Sequence, residues 1–417
     1  MNKKIKIVVC VLNFFLYSFA LGGKDDPLLE GCRVPRVESI GNSSSVGELE
    51  DEAFLEFRAM LAKDYSVQDG SIDSLYDVIS TRKSRFHCGQ NYLFPLKRKD
   101  GEELVVSIEK ALDGNILLSF GEWGALAEGS SKIITKMIEF ESLRKIAKAE
   151  IKNPGNPSEM VKFRNEVEII KKIGKNKEWL AEVYFVSNWS IYYKFYDGDL
   201  LDFAKQVHYF KEKFKSEREV ELLKVEFARQ MLKGLEELHT LGIVHSDVKL
   251  ENFLISEVTV NKFQVVFTDF GLSFDAADLI GRNVIAPPTG GTIQYAAPEL
   301  FVKRGTWEGN SIDEQIENAK KRDVYSMAVT LAILFKKYEL VPWMFGKCDD
   351  YVRRYGLRGY IACRKKYFYL PRLPELFEYA ESDHDLNQLL WNALRDDPSQ
   401  RIDIKTFRQK FEKIIQF

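Results

Sequence analysis

The spacing of apolar and polar positions changes along the chain, from a helical period to short strand-like runs and back. Residues 46–65 carry an apolar side chain at every fourth position, which predicts one face of a helix: Leu49, Ala53, Phe57 and Leu61. From Asn91 the chain turns to short runs rich in β-branched and aromatic residues. These runs predict strands and read YLFPL, ELVVSI, NILLSF, KIITKMI and, further on, IYYKFY.

Helical periods return after Lys136. Two helical patterns are predicted there, separated by the turn-forming stretch NPGNPS at residues 153–158. The second pattern places these residues on one face: Met160, Phe163, Val167 and Ile170. From Ser216 helices dominate, and one that ends at Gly242 has the following apolar face: Leu223, Phe227, Met231, Leu235 and Leu238. The pattern predicts an α+β protein with a helical extension, a sheet-rich part containing one helix, and a larger helical part.

Composition allows a sizeable core and argues against a nucleic-acid partner. The chain has 417 residues, of which 45% are hydrophobic and 29% are charged. The formal net charge is −2, with both signs mixed along the chain. A broad basic face, which binding to nucleic acid would need, is therefore not indicated.

The N-terminus has the layout of a secretory signal peptide. Basic MNKKIK precedes an apolar run of 15 residues, and Ser18 and Ala20 are small residues at the −3 and −1 positions of a cleavage point. The run is short for a membrane span, which needs about 20 residues. We expect residues 1–20 to be removed and the mature chain to begin near Leu21, without a membrane span. An uncleaved signal anchor is the alternative.

Secretion bears on the cysteines, because an oxidising compartment permits disulfides. Removal of the signal leaves four cysteines: Cys32, Cys88, Cys348 and Cys363. Cys348 and Cys363 flank one loop-like segment and are the preferred pair. Buried thiols are the open alternative.

Candidate chemistry is concentrated in the stretch IVHSDVKLENFL, residues 243–254. Phosphoryl transfer needs a positioned nucleophile, metal ions on the phosphates and a cation where charge develops. Asp247 can orient or deprotonate an attacking hydroxyl, and Lys249 can stabilise the transferring group. Asn252 and Asp269 offer oxygen ligands to Mg²⁺. The spacing of Asn252 and Asp269 leaves room for a β-hairpin that returns the chain to the same place.

These residues resemble the eukaryotic protein kinase family over roughly residues 91–417. HSDVKLEN is similar to the catalytic loop, DFG at 269–271 to the metal-binding turn, and GTIQYAAPEL at 291–300 to the peptide-binding segment. RDVYSMAV resembles the start of the central helix, with Asp323 bracing the catalytic loop. DDPSQR carries Arg401, which in the family pairs with the Glu of the Ala-Pro-Glu motif, here Glu299.

The resemblance implies a bilobal protein kinase fold. A small lobe of antiparallel sheet with one key helix precedes a larger helical lobe, and a helical extension precedes both. The implied domains are a signal peptide at 1–20, a linker and helical extension at 21–90, a small lobe at 91–194 and a large lobe at 195–417. The implied cofactors are ATP and Mg²⁺, with Asn252 and Asp269 as metal ligands and Thr292 beside Asp247.

The small lobe matches the family less closely. SFGEWGAL resembles the glycine-rich loop that lets backbone N–H groups approach phosphates, and four of its residues are candidates for nucleotide binding: Ser119, Gly121, Gly124 and Leu126. Ser119 stands where the family has its first glycine. A plain β-hairpin with incidental glycines is the alternative.

Three further residues complete the predicted nucleotide site. Lys136 resembles the strand lysine that holds the α and β phosphates, although a surface lysine is the alternative. Its predicted partner is Glu166, which shares the inward helical face with Phe163, whereas Glu168 points elsewhere. Asp199, in FYDGDLLDF, resembles the residue near the nucleotide ribose, but an ordinary turn fits nearly as well.

The resemblance implies a secreted Ser/Thr protein kinase that acts on hydroxyls of protein substrates. A pseudokinase that serves as a binding module is the alternative, favoured by the altered glycine-rich loop. The signal peptide and helical extension are similar to those of the secreted rhoptry-type kinases of apicomplexan parasites, which implies a secretory organelle or a host-facing compartment. No feature of the sequence indicates an oligomeric state.

Ser246 occupies the position between the catalytic-loop His and Asp, where many kinases have an Arg that binds a phosphorylated activation loop. A serine has neither the charge nor the reach for that contact. Pro287 and Pro288 stiffen the segment before Thr292 without modification. We therefore expect a loop that is ordered by packing and does not need phosphorylation. The alternative is that Arg282 or Lys303 binds a phosphorylated loop residue in place of the arginine.

Overall fold

The structure, a computed structural model, is described in the following ranges: 52–88, 90–111, 113–120, 125–128, 131–205, 217–259, 262–278, 291–292, 295–301, 311–336 and 381–415. The chain divides into two compact units, Met1–Glu150 and Ile151–Phe417, and each is described by itself. The predicted signal peptide and the pair Cys348 and Cys363 lie outside the described residues. Within them, no helix is long and apolar enough to cross a membrane.

The first unit contains two helices and a mostly antiparallel sheet. The helices are α1 (Glu52–Asp64) and α2 (Asp69–Arg82), followed by a short 3-10 helix at Lys83–Arg85. The strands are β1 (Asn91–Lys97), β2 (Glu103–Lys110), β3 (Ile116–Phe120), β4 (Ala125–Glu128), β5 (Lys132–Glu139) and β6 (Lys145–Ile151). They are ordered β1-β2-β3-β5-β6 across the sheet, and β4 also pairs with β5.

The helices of the extension share one hydrophobic core with the sheet. Strand β1 alternates strictly between exposed and buried residues, which places Phe94 and Leu96 inside. The core also contains Phe57 and Leu61 from α1, and the ring of Phe57 meets that of Phe140 edge to face at 5.2 Å. The predicted helical extension is therefore an integral part of the core of this unit.

The prediction of a helix directly after Lys136 is wrong. The chain there forms the end of β5 and then β6, whose sequence is KIAKAEI. In β6, Ile146 and Lys148 are buried on one face and Ala149 and Ile151 on the other. Both faces of the strand are covered, so the apolar positions do not alternate simply and resemble a helical period.

The second unit contains six helices and seven short strands among its described residues. Its helices are α3 (Pro157–Ile173), α4 (Leu200–Lys205), α5 (Glu217–Thr240), α6 (Ile312–Lys336), α7 (Glu381–Ala393) and α8 (Ile404–Ile414). Its strands are β7 (Val183–Val186), β8 (Ser190–Lys194), β9 (Gly198–Asp199), β10 (Ile243–Val244), β11 (Phe253–Thr259), β12 (Lys262–Phe267) and β13 (Phe274–Asp275). Strands β7 and β8 form a hairpin, β12-β11-β9 form a three-stranded sheet, and β10 pairs with β13.

Local sequence fixes both ends of α3. Asn156 caps its N-terminus by accepting the N–H of Ser158 at 3.0 Å, and Pro157 follows in the first turn, where its missing N–H costs nothing. Gly174 ends the helix with a positive φ of 73°, and its N–H bonds to the carbonyl of Ile170. This helix is the one predicted after the NPGNPS turn, but its predicted face is only partly right. Phe163 is buried, whereas Met160, Val167 and Ile170 are half-buried, and Glu166, Ile169 and Ile173 complete the buried face.

Helix α5 and the β11–β12 hairpin form the centre of the second unit. The apolar face predicted for α5 is confirmed, since all five of its residues are at most 5% exposed. They belong to a core that also contains Phe253 of β11 and Phe267 of β12. The hairpin predicted between Asn252 and Asp269 is formed by these two strands.

We predict that Leu61→Ala lowers the free energy of unfolding by about 2–5 kcal/mol, because it opens a cavity in the core that the extension shares with the sheet. Leu61 is completely buried. Leu55→Ala is the matched control on the same helix, since Leu55 is 45% exposed, and should change stability by less than about 0.5 kcal/mol. Denaturant unfolding of both variants checks this, and equal losses would contradict the shared core.

Candidate active site

A buried carboxylate on α6 holds the backbone of the predicted catalytic loop. Asp323 accepts the N–H of His245 at 2.7 Å and that of Ser246 at 2.8 Å. The Nε2 atom of His239 lies 3.1 Å from the same carboxylate, and Asp323 is only 1% exposed. This is the brace that the resemblance implies, and it fixes the backbone directly before Asp247.

Asp247, Lys249 and Thr292 meet in one cluster. The Oδ1 atom of Asp247 accepts the backbone N–H of Thr292 at 2.7 Å, and its Oδ2 lies 2.9 Å from the Nζ of Lys249. Lys249 also donates to the hydroxyl of Thr292 at 3.0 Å. The three residues predicted as catalytic therefore lie together, with both oxygens of the Asp247 carboxylate oriented by donors.

Gly291 lets two backbone segments approach closely at this cluster. Its φ is +117°, and a Cβ added there would lie 2.5 Å from the carbonyl oxygen of Ser246. That distance is too short for any real side chain. Ser246 itself has a φ of +68°, an uncommon conformation for a residue other than glycine. The contact brings the N–H of Thr292 within reach of Asp247.

Asn252 links the catalytic loop to the β11–β12 hairpin. Its Nδ2 donates to the carbonyl of Asp247 at 2.7 Å, and its own carbonyl accepts the N–H of Thr268 at 3.0 Å. Asp269 follows with φ 60° and ψ 73°, in the left-handed region, and begins the 3-10 helix Phe270–Leu272. Such strain in a residue other than glycine is concentrated at functional sites.

The oxygens near this turn fit a magnesium ion. Because Nδ2 of Asn252 is used in a hydrogen bond, the carboxamide oxygen is the end that can ligate a cation. Asp269 offers a carboxylate, and Mg²⁺ is usually held by one or two such groups together with substrate phosphates and water. Within the described part of the chain there is no group of three or more His, Cys, Asp or Glu residues that could hold a metal without a substrate.

Glu166 lies on the inward face of α3, as its spacing predicts. It is completely buried and accepts a hydrogen bond from the hydroxyl of Tyr193 at 3.0 Å. Glu168 is exposed and pairs with Lys171 at 2.7 Å on the outer face. The sequence did not draw attention to Tyr193, which stands in an apolar strand and reads as a core residue.

Asp199 has a structural contact that competes with its predicted ribose contact. Its Oδ1 accepts the N–H of Asp202 at 2.8 Å, which caps the start of α4. Burial raises the pKa of Asp199 above its ordinary value, partly offset by the hydrogen bond from Asp202. The ribose contact stays a prediction.

In the first unit, the structure describes the strands on either side of the predicted glycine-rich loop. Strands β3 and β4 both run antiparallel to β5: Leu117 is opposite Glu139 and Ala125 is opposite Thr135. Strand β4, which ends at Glu128, is thus an antiparallel neighbour of β5, which begins at Lys132. Ser119 is half-buried in β3, Leu126 lies in β4, and Gly121 and Gly124 lie outside the described residues.

The same strand order draws attention to a second candidate lysine, on β6. Protein kinases carry the phosphate-binding lysine on the third strand of their sheet. If β3 and β4 together correspond to the first strand of that sheet and β5 to the second, then β6 corresponds to the third. Lys148 of β6 is 9% exposed, and its Nζ lies 2.9 Å from both Glu109 and Glu150. Lys136, on β5, is half-buried. Recognising β6 as the strand directly before α3 would have drawn attention to Lys148.

A second buried ion pair supports the peptide-binding segment. Arg401 donates from Nη1 and Nη2 to the two carboxylate oxygens of Glu299, both at 2.9 Å. Its side chain is completely buried and that of Glu299 is 1% exposed. This is the pair that the resemblance implies. A bidentate pair fixes orientation as well as distance, so it anchors the Ala-Pro-Glu end of the segment.

Comparison with known families gives the class of the protein. The protein kinase domain family matches residues 122–411, well over half of the chain. The chain belongs to this family. The predicted fold class, an α+β protein kinase fold with an antiparallel sheet and further helices, is confirmed by this membership and by the elements above.

Several curated relatives are similar to the chain. It is 26% identical over 298 residues to Serine/threonine-protein kinase KIN4 of Saccharomyces cerevisiae, covering 71% of this chain and 32% of the relative. It is 30% identical over 250 residues to Probable serine/threonine-protein kinase fhkD of Dictyostelium discoideum, covering 58% and 29%. For CBL-interacting protein kinase 26 of Oryza sativa subsp. japonica, the identity is 24% over 278 residues, covering 66% and 46%. The chain spans less than half the length of each of these relatives.

We predict that Gly291→Ala reduces the rate of phosphoryl transfer about tenfold or more, equivalent to about 1.4 kcal/mol or more. The added Cβ would collide with the Ser246 carbonyl and move the Thr292 N–H away from Asp247. Gly114→Ala is the matched control: Gly114 also has a positive φ, of 91°, but has no atom within 4 Å of the added Cβ. Steady-state kinetics in which both variants slow equally would contradict the role of the close approach.

Proposed function

We propose that this protein is an ATP- and Mg²⁺-dependent kinase that phosphorylates Ser or Thr hydroxyls of protein substrates. The observation that carries the proposal is the cluster of Asp247, Lys249 and Thr292, in which a carboxylate is oriented by two donors. Membership of the protein kinase family and the names of the similar Ser/Thr kinases support it.

In this proposal the residues of the cluster divide the work of positioning and charge stabilisation. Asp247 orients the substrate hydroxyl and takes up its proton, while Lys249 neutralises charge that develops on the transferring phosphoryl group. Thr292 holds the carboxylate through its N–H and shapes the peptide site beside it. Asn252 and Asp269 would hold Mg²⁺, which neutralises the phosphates of the nucleotide when bound.

For the lysine that holds the α and β phosphates, we favour Lys148 over Lys136. Lys148 is a buried cation on the strand that directly precedes α3, the helix that carries Glu166. A buried cation oriented by carboxylates is well prepared to meet phosphate oxygens. The role of Lys136 as phosphate ligand, and the nucleotide contacts of Ser119, Gly121, Gly124 and Leu126, remain predictions.

The destination of the protein is also a proposal. The basic N-terminus, the 15-residue apolar run and the small residues Ser18 and Ala20 support entry into the secretory pathway. The helices α1 and α2 before the sheet support a similarity to the rhoptry-type kinases, which carry helical extensions at this place. N-terminal sequencing of the mature protein, with Leu21 as the expected first residue, tests the cleavage.

A pseudokinase is the second candidate. It is favoured by the altered glycine-rich loop SFGEWGAL, in which Ser119 stands where the family has its first glycine. A loop poorer in glycine leaves less room for backbone N–H groups to approach phosphates. The two functions differ in one measurable property, because only the enzyme transfers labelled phosphate.

We predict that Asp269→Ala abolishes magnesium-dependent nucleotide binding, because it removes the one carboxylate assigned to the metal. Asp247→Ala should bind nucleotide normally and lose transfer by about three powers of ten, because Asp247 acts on the hydroxyl and not on the nucleotide. Calorimetric titration with ATP, with and without Mg²⁺, measures nucleotide binding. A transfer assay with a generic protein substrate measures catalysis, so the two effects are separated.

The pair of variants also distinguishes the two candidate functions. An active kinase gives transfer in the wild type that Asp247→Ala removes. Binding of ATP by the wild type without any transfer would support the pseudokinase, and unchanged magnesium dependence in Asp269→Ala would contradict the metal assignment.

We predict that Lys148→Met lowers kcat/KM for ATP about a hundredfold or more, whereas Lys136→Met lowers it less than about threefold. Methionine keeps the length of the side chain and removes the charge, so the loss of phosphate contact dominates. Circular dichroism must show that both variants are folded, since Lys148→Met leaves Glu109 buried without its cation. The reverse order of effects would return the role to Lys136.

A further inference from the structure

Tyr193 makes a buried contact that the kinase reaction described above does not use. It lies on β8 and is 6% exposed, and its hydroxyl donates to the Oε1 of Glu166 at 3.0 Å. Glu166 is completely buried, so this hydrogen bond is shielded from water. A phenylalanine would fill the same space in the core, so what the hydroxyl of Tyr193 adds is the hydrogen bond to Glu166.

Two carboxylates lie around the hydroxyl of Tyr193. Burial raises the pKa of Tyr193 well above its ordinary value, and the charges of Glu166 and Asp269 raise it further. The hydroxyl therefore stays protonated and acts as a permanent donor. A Cβ at Gly271 would lie 3.5 Å from Asp269 Oδ1 and 3.7 Å from Glu166 Oε2, so both carboxylates reach the turn after β12.

Helix α3 is held from two sides. On one side, the Nδ2 of Asn165 donates to the carbonyl of Ser273 at 2.6 Å, and Lys172 pairs with Asp275. These contacts tie α3 to the segment directly after Phe270–Leu272. On the other side, Tyr193 ties Glu166, in the middle of the helix, to β8. The hydrogen bond to Tyr193 therefore restrains the rotation of α3 at Glu166, the predicted partner of the phosphate-binding lysine.

We propose that Tyr193 is a positioning residue for catalysis, whose hydroxyl holds Glu166 and helix α3 in the inward arrangement. Oε1 of Glu166 is held by β8, so the carboxylate keeps one orientation on α3. In the proposed kinase, this carboxylate is the one predicted to orient the phosphate-binding lysine. This inference rests on the proposed kinase function for its catalytic consequence. Its structural part, the restraint of α3, is independent of activity.

The restraint is tested by hydrogen exchange on the full chain. Tyr193→Phe removes only the hydroxyl, and amides of residues 157–173 should then exchange about tenfold faster, because a charge-assisted hydrogen bond no longer opposes local opening. Tyr196→Phe is the matched control. Tyr196 is 8% exposed, and its hydroxyl accepts the N–H of Glu182 at 3.1 Å, away from α3. That variant should leave exchange in α3 unchanged.

The catalytic part is tested by a double-mutant cycle in the transfer assay. Tyr193→Phe should lower kcat about tenfold, with a smaller change in KM for ATP. Glu166→Ala should lower kcat further, and the double variant should equal Glu166→Ala alone, because the hydroxyl acts only through that carboxylate. A purely structural role for Tyr193 would instead lower stability and leave the two effects multiplicative.

Each result decides a separate point. Faster exchange in α3 for Tyr193→Phe and not for Tyr196→Phe supports the restraint, even if Glu166→Ala does not fold. Equal exchange in the two variants, or multiplicative kinetic effects, overturns the role of Tyr193 as a positioning residue. A wild type that restrains α3 but transfers no phosphate overturns the proposed kinase function and leaves the restraint standing.

Discussion

The carboxylate of Asp323 is the contact on which the rest of the active site depends. It is buried on α6 and accepts the N–H groups of two consecutive residues, His245 and Ser246. A buried carboxylate is stable only when it is hydrogen-bonded, so α6 and the loop constrain each other. This restraint offsets the strain of Ser246, whose φ is positive. Since the brace uses only the backbone of Ser246, it does not require an arginine at that position.

Other charged groups inside the protein follow the same rule, because an unpaired buried charge is far more destabilising than a paired one. Glu299 and Arg401 form a bidentate pair between the peptide-binding segment and the residues before α8. Lys148 pairs with Glu109, which lies before residue 122, where the match to the kinase family begins. The N-terminal hairpin β1–β2 therefore does more than cover the sheet: it supplies a buried carboxylate to a strand of the family fold.

A backbone N–H and a glycine without a side chain bring the peptide-binding segment close to the catalytic loop. The N–H of Thr292 reaches Asp247 because Gly291 has no Cβ to collide with the Ser246 carbonyl. This contact requires no phosphate. It is compatible with the expectation, still a prediction, that the activation loop is ordered by packing. Residues 279–290 of that loop, with Pro287 and Pro288, lie outside the described part of the chain.

The sequence by itself determined the order of the motifs, the hairpin between Asn252 and Asp269, and the inward position of Glu166 beside Phe163 on α3. These features depend on local spacing, turn residues and helical period, which a single chain displays directly. Only the tertiary structure decided that residues 145–151 form a strand, that β3 and β4 both pair with β5, and that Lys148 is buried. Strand pairing joins residues distant in sequence, and a strand covered on both faces loses the simple alternation that would identify it. The contact of Tyr193 with Glu166 is of the same kind, because residues 27 apart meet only when β8 and α3 pack together.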